Sequence, residues 1–489
     1  MPLDPRTPVL VGVGAVLQRE DDPAVAREPV QLMADALRAA ADDAGAPALL
    51  SRADLIRAPR GFWHYPDPCR LLAERFGAAG ARTEVAEVGV LQTTLFGRAA
   101  ADIASGRADV VLVVGAEDRY RAKRAAKAGV EPTYAAQAAD AAPDVVLRPA
   151  VEIQHDLELA CGLAMPVSQY AIIENALRAA EGTDLETHAA TVAELWASAS
   201  RVAAGNPDAW VRDAVDAATI RAARPLAFPY GTLHTSQWTV DQAAGLIFTS
   251  LGTARAMGVR DDRLVFPLAV ADANFMVPLV ARGALHRSPG FAAAGRAVLE
   301  RVGTDVAGVR HLELYSCFPA AVRVQQRELG VPADRLFTLT GGMAFAGGPL
   351  NSFVLHALAT MARTLRADPG SRGLLTAVSG IVTKQGASLW STEPPAGPVP
   401  FDDVTDVAQR DTAVVEVVAD ASGEATIASY TVLYAGTAPS QAVVVCDLPD
   451  GRRTMRASRD AALAEAMTRT EHCGRRVRLG DDGGFDVLG

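Results

Sequence analysis

The 489-residue chain has 49% hydrophobic and 21% charged residues, the balance of a globular chain long enough for two or three domains with substantial cores. Its 47 basic and 57 acidic residues give a net charge of −10, which argues against nucleic acid or an anionic membrane as general partners and leaves only a local basic patch to hold an anion. Five scattered cysteines, Cys69, Cys161, Cys317, Cys446 and Cys473, lack CxxC spacing; they suggest neither a disulfide framework nor a metal site, and fit a reducing cytoplasm. MPLDPRTPVLVGVGAV has no basic region ahead of a long apolar run, and no later apolar stretch reaches the roughly 18 residues of a membrane helix, so neither export nor anchoring is expected.

PVLVGVGAV (Pro8 to Val16) reads as a buried strand ending in a glycine turn, and Pro29 to Ala44 as a helix burying Leu32, Met33, Ala36, Leu37, Ala40 and Ala41. ADLIRA, DPCRLLAERFG, EVAEVGV, TLFGRAAADIASG and ADVVLVVGAE continue the alternation of strand and helix, which predicts a mostly parallel α/β sheet covered on both faces. From about Asp118 to Tyr230 the character changes. The basic run RYRAKRAAKAG, an alanine-rich acidic passage and two helical stretches, MPVSQYAIIENALRAAEG and LETHAATVAELWASASRVAAGN, predict a helical insertion over 119–235, with Asn206-Pro207 ending its second helix.

Strand and helix alternate again from VDQAAGLIFTSLGTARAMG through RLVFPLAVADA, FAAAGRAVLERVG, HLELYSCF and PAAVRVQQRELG to GLLTAVSGI. TLFGRAAADIASGRADVVLVVGAE and LNSFVLHALATMARTLRADPGSRGLLTAVSGI resemble each other as helix, turn and buried strand, which reads as an internal duplication. The proline-rich PPAGPVP then leads into short β-patterned runs, TAVVEVVAD, ATIASYTVLYAG, QAVVVCDLPDGRRTMRAS and GRRVRLG, around one helical interval, DAALAEAMT. The resulting division is 1–258, 259–393 and a small β-barrel-like domain over 394–489.

TGGMAFAGGPLNSFVLHALATM (Thr340 to Met361) places Gly341, Gly342, Gly347 and Gly348 ahead of an amphipathic helix expected from Pro349–Leu350 onward. A tight turn without a ligand accounts for these glycines, and so does a backbone-lined pocket at a helix N-terminus, suited to a carbonyl oxygen, an oxyanion or a phosphate.

Taken together, SGRADVVLVVGAE, VDQAAGLIFTSLGTARAMG, LYSCFPAAV and TGGMAFAGGPLNS resemble thiolase segments in their order and spacing, over about Pro8 to Thr392. The chain is similar to the thiolase-like protein type 1 branch, near the sterol-carrier-protein thiolases of the acetyl-CoA acetyltransferase family, whose members append a small OB-like domain. The resemblance implies a duplicated five-layer αβαβα thiolase fold with a helical insertion and a C-terminal β-barrel-like domain. It also implies a coenzyme A ester as substrate or ligand, no permanently bound cofactor, and a place in lipid metabolism. Pairing into a homodimer through the N-terminal half is one expectation and a monomer the other.

Thiolases act through a cysteine thiolate at a helix N-terminus, a second cysteine as acid/base, and an oxyanion hole. Carried over by the resemblance, the nucleophile position falls near Gly89, the histidine of the glycine turn at Gly342, the asparagine-or-histidine position at Tyr315, and the second-cysteine region at Ser379, with Gln385 where relatives often carry histidine. No cysteine lies between Cys69 and Cys161. Cys317 reads as a packed thiol, and Ser316 and Ser379 lack an evident base. The phenol of Tyr315 is the alternative acid/base, for a carbon-carbon lyase acting on a 3-hydroxyacyl-CoA, against packing at a strand end. Arg119, Arg121, Lys123 and Arg124 either bind the phosphates of coenzyme A, together with the amides of Gly347 and Gly348, or form a solvated helix face. His64 and His234 read as structural. The three resulting functions are a thioester-binding protein without ordinary thiolysis, a lyase using Tyr315, and a regulatory subunit without turnover.

Overall fold

The computed structural model describes residues 3–149, 154–481 and 483–488. Its first half runs β1 (Pro8–Gln18), α1 (Pro29–Ala44), β2 (Leu55–Pro59), α2 (Pro68–Phe76), β3 (Arg82–Ala86), α3 (Gln92–Ala104) and β4 (Val110–Asp118). An excursion follows: α4 (Arg119–Ala128), β5 (Val145–Leu147), α5 (Asp156–Ala160), α6 (Pro166–Glu181), α7 (Leu185–Gly205), α8 (Ala217–Arg221), β6 (Pro225–Ala227) and β7 (Tyr230–Gly231). The chain then returns to the sheet as β8 (Asp241–Ser250), giving the order β1-β8-β4-β2-β3-β5.

The second half contains α9 (Leu251–Ala256), β9 (Phe266–Ala273), α10 (Pro289–Val302), β10 (His311–Glu313), α11 (Pro319–Leu329), α12 (Gly342–Phe345), α13 (Phe353–Ala367), β11 (Arg372–Ser379), β12 (Lys384–Ser391) and β13 (Phe401–Asp403). These strands form a second sheet in the order β10-β11-β12-β9-β13. Helix α1 packs on β1, β8 and β4, while α10 packs on β9 and β12. Between the two sheets lie α3, against β8, β9 and β12, and α13, against β8 and β11. The result is five layers, helix, sheet, helix, sheet, helix, as the resemblance to thiolases implied.

Both sheets are mostly parallel as predicted, but each contains one strand that runs against the rest. The long excursion lets β8 re-enter antiparallel to both β1 and β4, and β12 is antiparallel to β11 and β9. The predicted glycine turn after Pro8 is absent, because Gly12 and Gly14 lie inside β1. A Cβ at either would stand 2.1 Å from a carbonyl oxygen of α1, Ala40 or Ala36. These glycines, facing the alanine stripe of α1, let helix and strand approach closely. The outer edge of β3 is paired in cis with β5.

The strand-rich tail comprises α14 (Thr405–Asp411), β14 (Gly423–Ala435), β15 (Ala438–Asp447), β16 (Arg453–Ser458), α15 (Ala461–Met467), β17 (Arg476–Leu479) and β18 (Phe485–Val487). Its sheet order is β16-β15-β14-β17-β18, with β6 of the excursion joining at β14. The predicted strand TAVVEVVAD does not form. It makes isolated bridges instead, Arg282 with Val414 and Val417 with Arg453, and so ties the tail to the body. Among the described residues no helix is long and apolar enough to cross a membrane.

Candidate functional site

Two adjoining cavities open beside the N-terminus of α6. One, of about 340 Å³, is walled by Met165, Tyr170, Trp238, Cys317, Phe318 and Met343 among others. The second, of about 540 Å³, is lined by Val88, Gly89, Gln92, Asp156, Asn351 and Ser379 among others. Pro166, Tyr315, Leu350, Gly380 and Ile381 line both. Val88, Leu159, Met165 and Trp238 remain solvent-exposed at the cavity walls, an apolar rim of the kind that marks a binding groove.

Tyr315 stands between the two cavities. Its backbone is clamped: the amide donates to Thr376 Oγ1 at 2.8 Å and the carbonyl accepts from Gln325 Nε2 at 2.7 Å. Burial pushes the phenol well above its usual range, with Cys317 adding in the same direction, so it is a proton donor at neutral pH. Burial likewise pushes the Cys317 thiol up to about 12 despite its contact with the Tyr170 hydroxyl, so it carries negligible thiolate. The wall on the α6 side is braced by Glu174, which accepts from Tyr230 Oη at 2.6 Å and pairs with Arg323 and with His188. Burial raises that carboxyl, but Arg323, His188 and Tyr230 outweigh it and hold it near 2. Tyr230 passes the constraint on by accepting the Ala320 amide at 3.0 Å.

The two positive-φ residues other than glycine among those described are both here: Leu350 (φ 32) lines both cavities and Val382 (φ 47) follows Ile381. Strain of this kind persists where the surroundings enforce it, and it collects at functional sites.

Residues 405–484 match the family described as Thiolase-like protein type 1 additional C-terminal domain. Over the full length of both chains, the structure resembles a monomeric SCP2-thiolase like protein type 1 from Mycobacterium smegmatis, with 27% identity and a TM-score of 0.84. The chain is a thiolase-like protein with that additional domain. The fold is shared more distantly with the Ltp2-ChsH2(DUF35) aldolase, at 19% identity and TM-score 0.61, covering 80% of this chain and 99% of that one. The dimeric peroxisomal thiolase of Saccharomyces cerevisiae gives 15%, 0.54, 80% and 99%. No curated protein matches.

In this thiolase-like chain the cavities bring together Gly89, Tyr315 and Ser379, three of the four residues expected to carry chemistry. Gly89 sits on the loop before α3 with φ 108, and its carbonyl accepts from the buried Lys384 ammonium. Ser379 ends β11 on the cavity wall. No histidine lines either cavity among the described residues, so neither hydroxyl nor thiol has an imidazole base. The fourth residue, Gly342, does not belong. Its amide donates to Thr338 Oγ1 and Thr340 Oγ1 at 3.1 Å, and a side chain there would face Ser316.

Most amides of the glycine turn are taken up within the protein, which favours the account of a tight turn without a ligand. Gly341 donates to Thr338 Oγ1, Met343 to Ser316 Oγ, and Gly348 to the Gln237 carbonyl. The helix does not begin at Pro349–Leu350 as expected; α13 starts at Phe353 because Leu350 takes a left-handed conformation. Of the two glycines proposed to hold phosphate, Gly347 faces Gln242, whereas Gly348 lines the apolar cavity, where a Cβ would crowd Ser236 at 3.0 Å.

Two of the four candidate cations in the basic run are committed elsewhere. The buried Arg121 pairs with Asp118 and donates to the Thr133 carbonyl, with its amide on Asp241. Arg124 pairs with Asp21 at 3.3 Å, and Lys123 faces solvent on α4. Arg119 differs. Its guanidinium lies over Phe62 at 4.5 Å and Trp238 at 5.5 Å, and Trp238 is a wall of the apolar cavity. His64 is exposed, and the buried His234 accepts the Gly231 amide. Gln385 turns away from the cavities to donate to Ser288 and the Val382 carbonyl.

Gln92 and Asn351 are members the sequence did not reveal. Gln92 Nε2 donates to Asn351 Oδ1 at 2.6 Å, leaving Asn351 Nδ2 and Gln92 Oε1 buried without partners. They lie 259 positions apart; the only local signal was Asn351 following the glycine turn.

Proposed function

We propose that this thiolase-like protein binds the acyl part of a coenzyme A thioester or related thioester in the apolar cavity and does not form an acyl-enzyme. The observation that carries the reading is the junction of the two cavities at a protonated, unpartnered Tyr315 phenol, with no ionised thiol beside it. A neutral phenol there is a hydrogen-bond donor for a thioester carbonyl, and Asn351 Nδ2 is a second donor on the adjoining wall. The thiolate position holds Gly89, so the thioester meets no nucleophile where a thiolase would present one. Arg119, stacked at the Trp238 rim, is the cation suited to the anionic end of such a ligand. The pairing of β3 with β5 takes up one strand edge of the N-terminal half, which favours a monomer over a homodimer through that edge. Five free cysteines favour a reducing, cytoplasmic setting.

The free phenol also supports a second reading, cleavage of a 3-hydroxyacyl-CoA between C2 and C3 with Tyr315 returning the proton to C2. That reaction needs a base for the 3-hydroxyl, and burial disfavours the phenolate that would supply one. Mass analysis of products after incubation with 3-oxoacyl-CoA and 3-hydroxyacyl-CoA esters, with and without free coenzyme A, separates the readings. The esters are expected back intact in every case. Shortening that requires free coenzyme A would overturn the account. Release of a ketone or aldehyde without it would establish the lyase, and Tyr315→Phe would then be expected to cut the rate about 100-fold or more.

A further inference from the structure

The cavity wall formed by Gly380 and Ile381 is held from outside the site. Arg282, 4% exposed, donates from one terminal nitrogen to the Ile381 carbonyl and from Nε to the Val277 carbonyl at 3.2 Å. The next carbonyl, that of the left-handed Val382, accepts from Ser288 Oγ at 2.6 Å and from Gln385 Nε2 at 3.0 Å. A β-branched residue in this conformation relaxes unless its neighbours enforce it, so these donors fix the shape of the wall.

Arg282 is held in turn by the additional domain. Arg453 on β16, 3% exposed, donates to the carbonyls of Arg282 and Gly283, and its Nε pairs with Asp447 at 2.7 Å. Its backbone is tied to the same connection, the amide donating to the Glu416 carbonyl and the carbonyl accepting from the Val418 amide. The residues between complete the link: the Gly283 amide donates to the Ala413 carbonyl at 2.8 Å and the Val415 amide to the Ala281 carbonyl at 2.9 Å. A continuous set of hydrogen bonds therefore runs from β16 through residues 280–283 to the Ile381 carbonyl.

We propose that Arg282 is a positioning residue for the ligand cavity and that the additional C-terminal domain sets that position through Arg453. The tail thereby shapes the site without touching the ligand. This rests on the reading of the cavity as a thioester site, and the test separates the two. Hydrogen–deuterium exchange of the full chain without ligand is compared for wild type, Arg453→Ala, Arg453→Lys and Arg282→Lys. Exchange over residues 378–384 is expected to rise about ten-fold in Arg453→Ala and Arg282→Lys, with β8 unchanged and substantial recovery in Arg453→Lys. In parallel, octanoyl-CoA is expected to bind Arg282→Lys about ten-fold more weakly than wild type. Faster exchange confined to 279–283, 413–418 and the tail, with 378–384 as in wild type, would overturn the proposal. If Arg453→Ala fails to fold, unchanged exchange over 378–384 in Arg282→Lys has the same force. Failure of wild type to bind octanoyl-CoA would count against the thioester reading alone, since the exchange pattern does not depend on it.

Discussion

Replacing Ser236 by Phe is expected to weaken binding of a long or bulky acyl-CoA about 10- to 100-fold while leaving the thermal unfolding midpoint nearly unchanged. Ser236 is half-buried on the wall of the apolar cavity, next to Gly348, and donates only to the Cys317 carbonyl at 3.1 Å. A ring there occupies volume that the acyl group would otherwise fill. The lost apolar burial corresponds to roughly 1.5–3 kcal/mol. Titration with octanoyl-CoA and acetyl-CoA in parallel checks the point. The loss should be large for the first and small for the second, because a cavity of about 340 Å³ is far larger than an acetyl group requires. Equal losses for both esters would move the acyl site elsewhere.

The second large effect concerns stability and carries a pH signature. Glu117, next to the end of β4, is fully buried and accepts the Phe62 amide at 3.1 Å. Burial pushes its carboxyl up to about 8, and Asp118 beside it adds to the shift, against the Phe62 amide and Arg119. A carboxyl whose folded value lies above its unfolded one contributes stability that is complete below pH 4.5 and is lost as pH rises through 8. Glu117→Gln keeps the acceptor for Phe62 and removes the titration. Its stability relative to wild type is therefore expected to be near zero at pH 4 and to grow to on the order of 4 kcal/mol above pH 8. Chemical denaturation at pH 4, 7 and 9 measures it; a difference independent of pH would show that Glu117 is not buried as a neutral acid.

Much of the fold was legible because it is written in local periodicity. The buried runs of β4 and β8 and the alanine stripe of α1 each predict their element from neighbouring residues, and the order of four weak motifs supplied the rest. What was not legible depends on partners distant in sequence. Strand direction in the first sheet turns on where the excursion delivers β8. The amides of Gly341, Gly342, Met343 and Gly348 in the glycine turn are satisfied by Thr338 and Ser316, and by the carbonyl of Gln237 more than a hundred positions away. The basic run looked like one patch, yet Asp118, Asp21 and the faces of Phe62 and Trp238 divide its arginines among three roles. The start of α13 moved because Leu350 takes a backbone conformation that nothing in PLNS announces. Gly89 and Tyr315 were placed by the resemblance to thiolase segments; that they share a cavity with the paired amides of Gln92 and Asn351 is a property of the folded chain.

The most direct test of the central claim is the mass of the protein itself after incubation with a 3-oxoacyl-CoA, measured once under native conditions and once after denaturation. A cavity that holds a thioester without attacking it predicts a one-to-one complex in the native spectrum and the unmodified chain, 51.1 kDa, after denaturation. An increase by the mass of the acyl group that survives denaturation, and that disappears in Cys317→Ala, would contradict the account and make Cys317 a nucleophile.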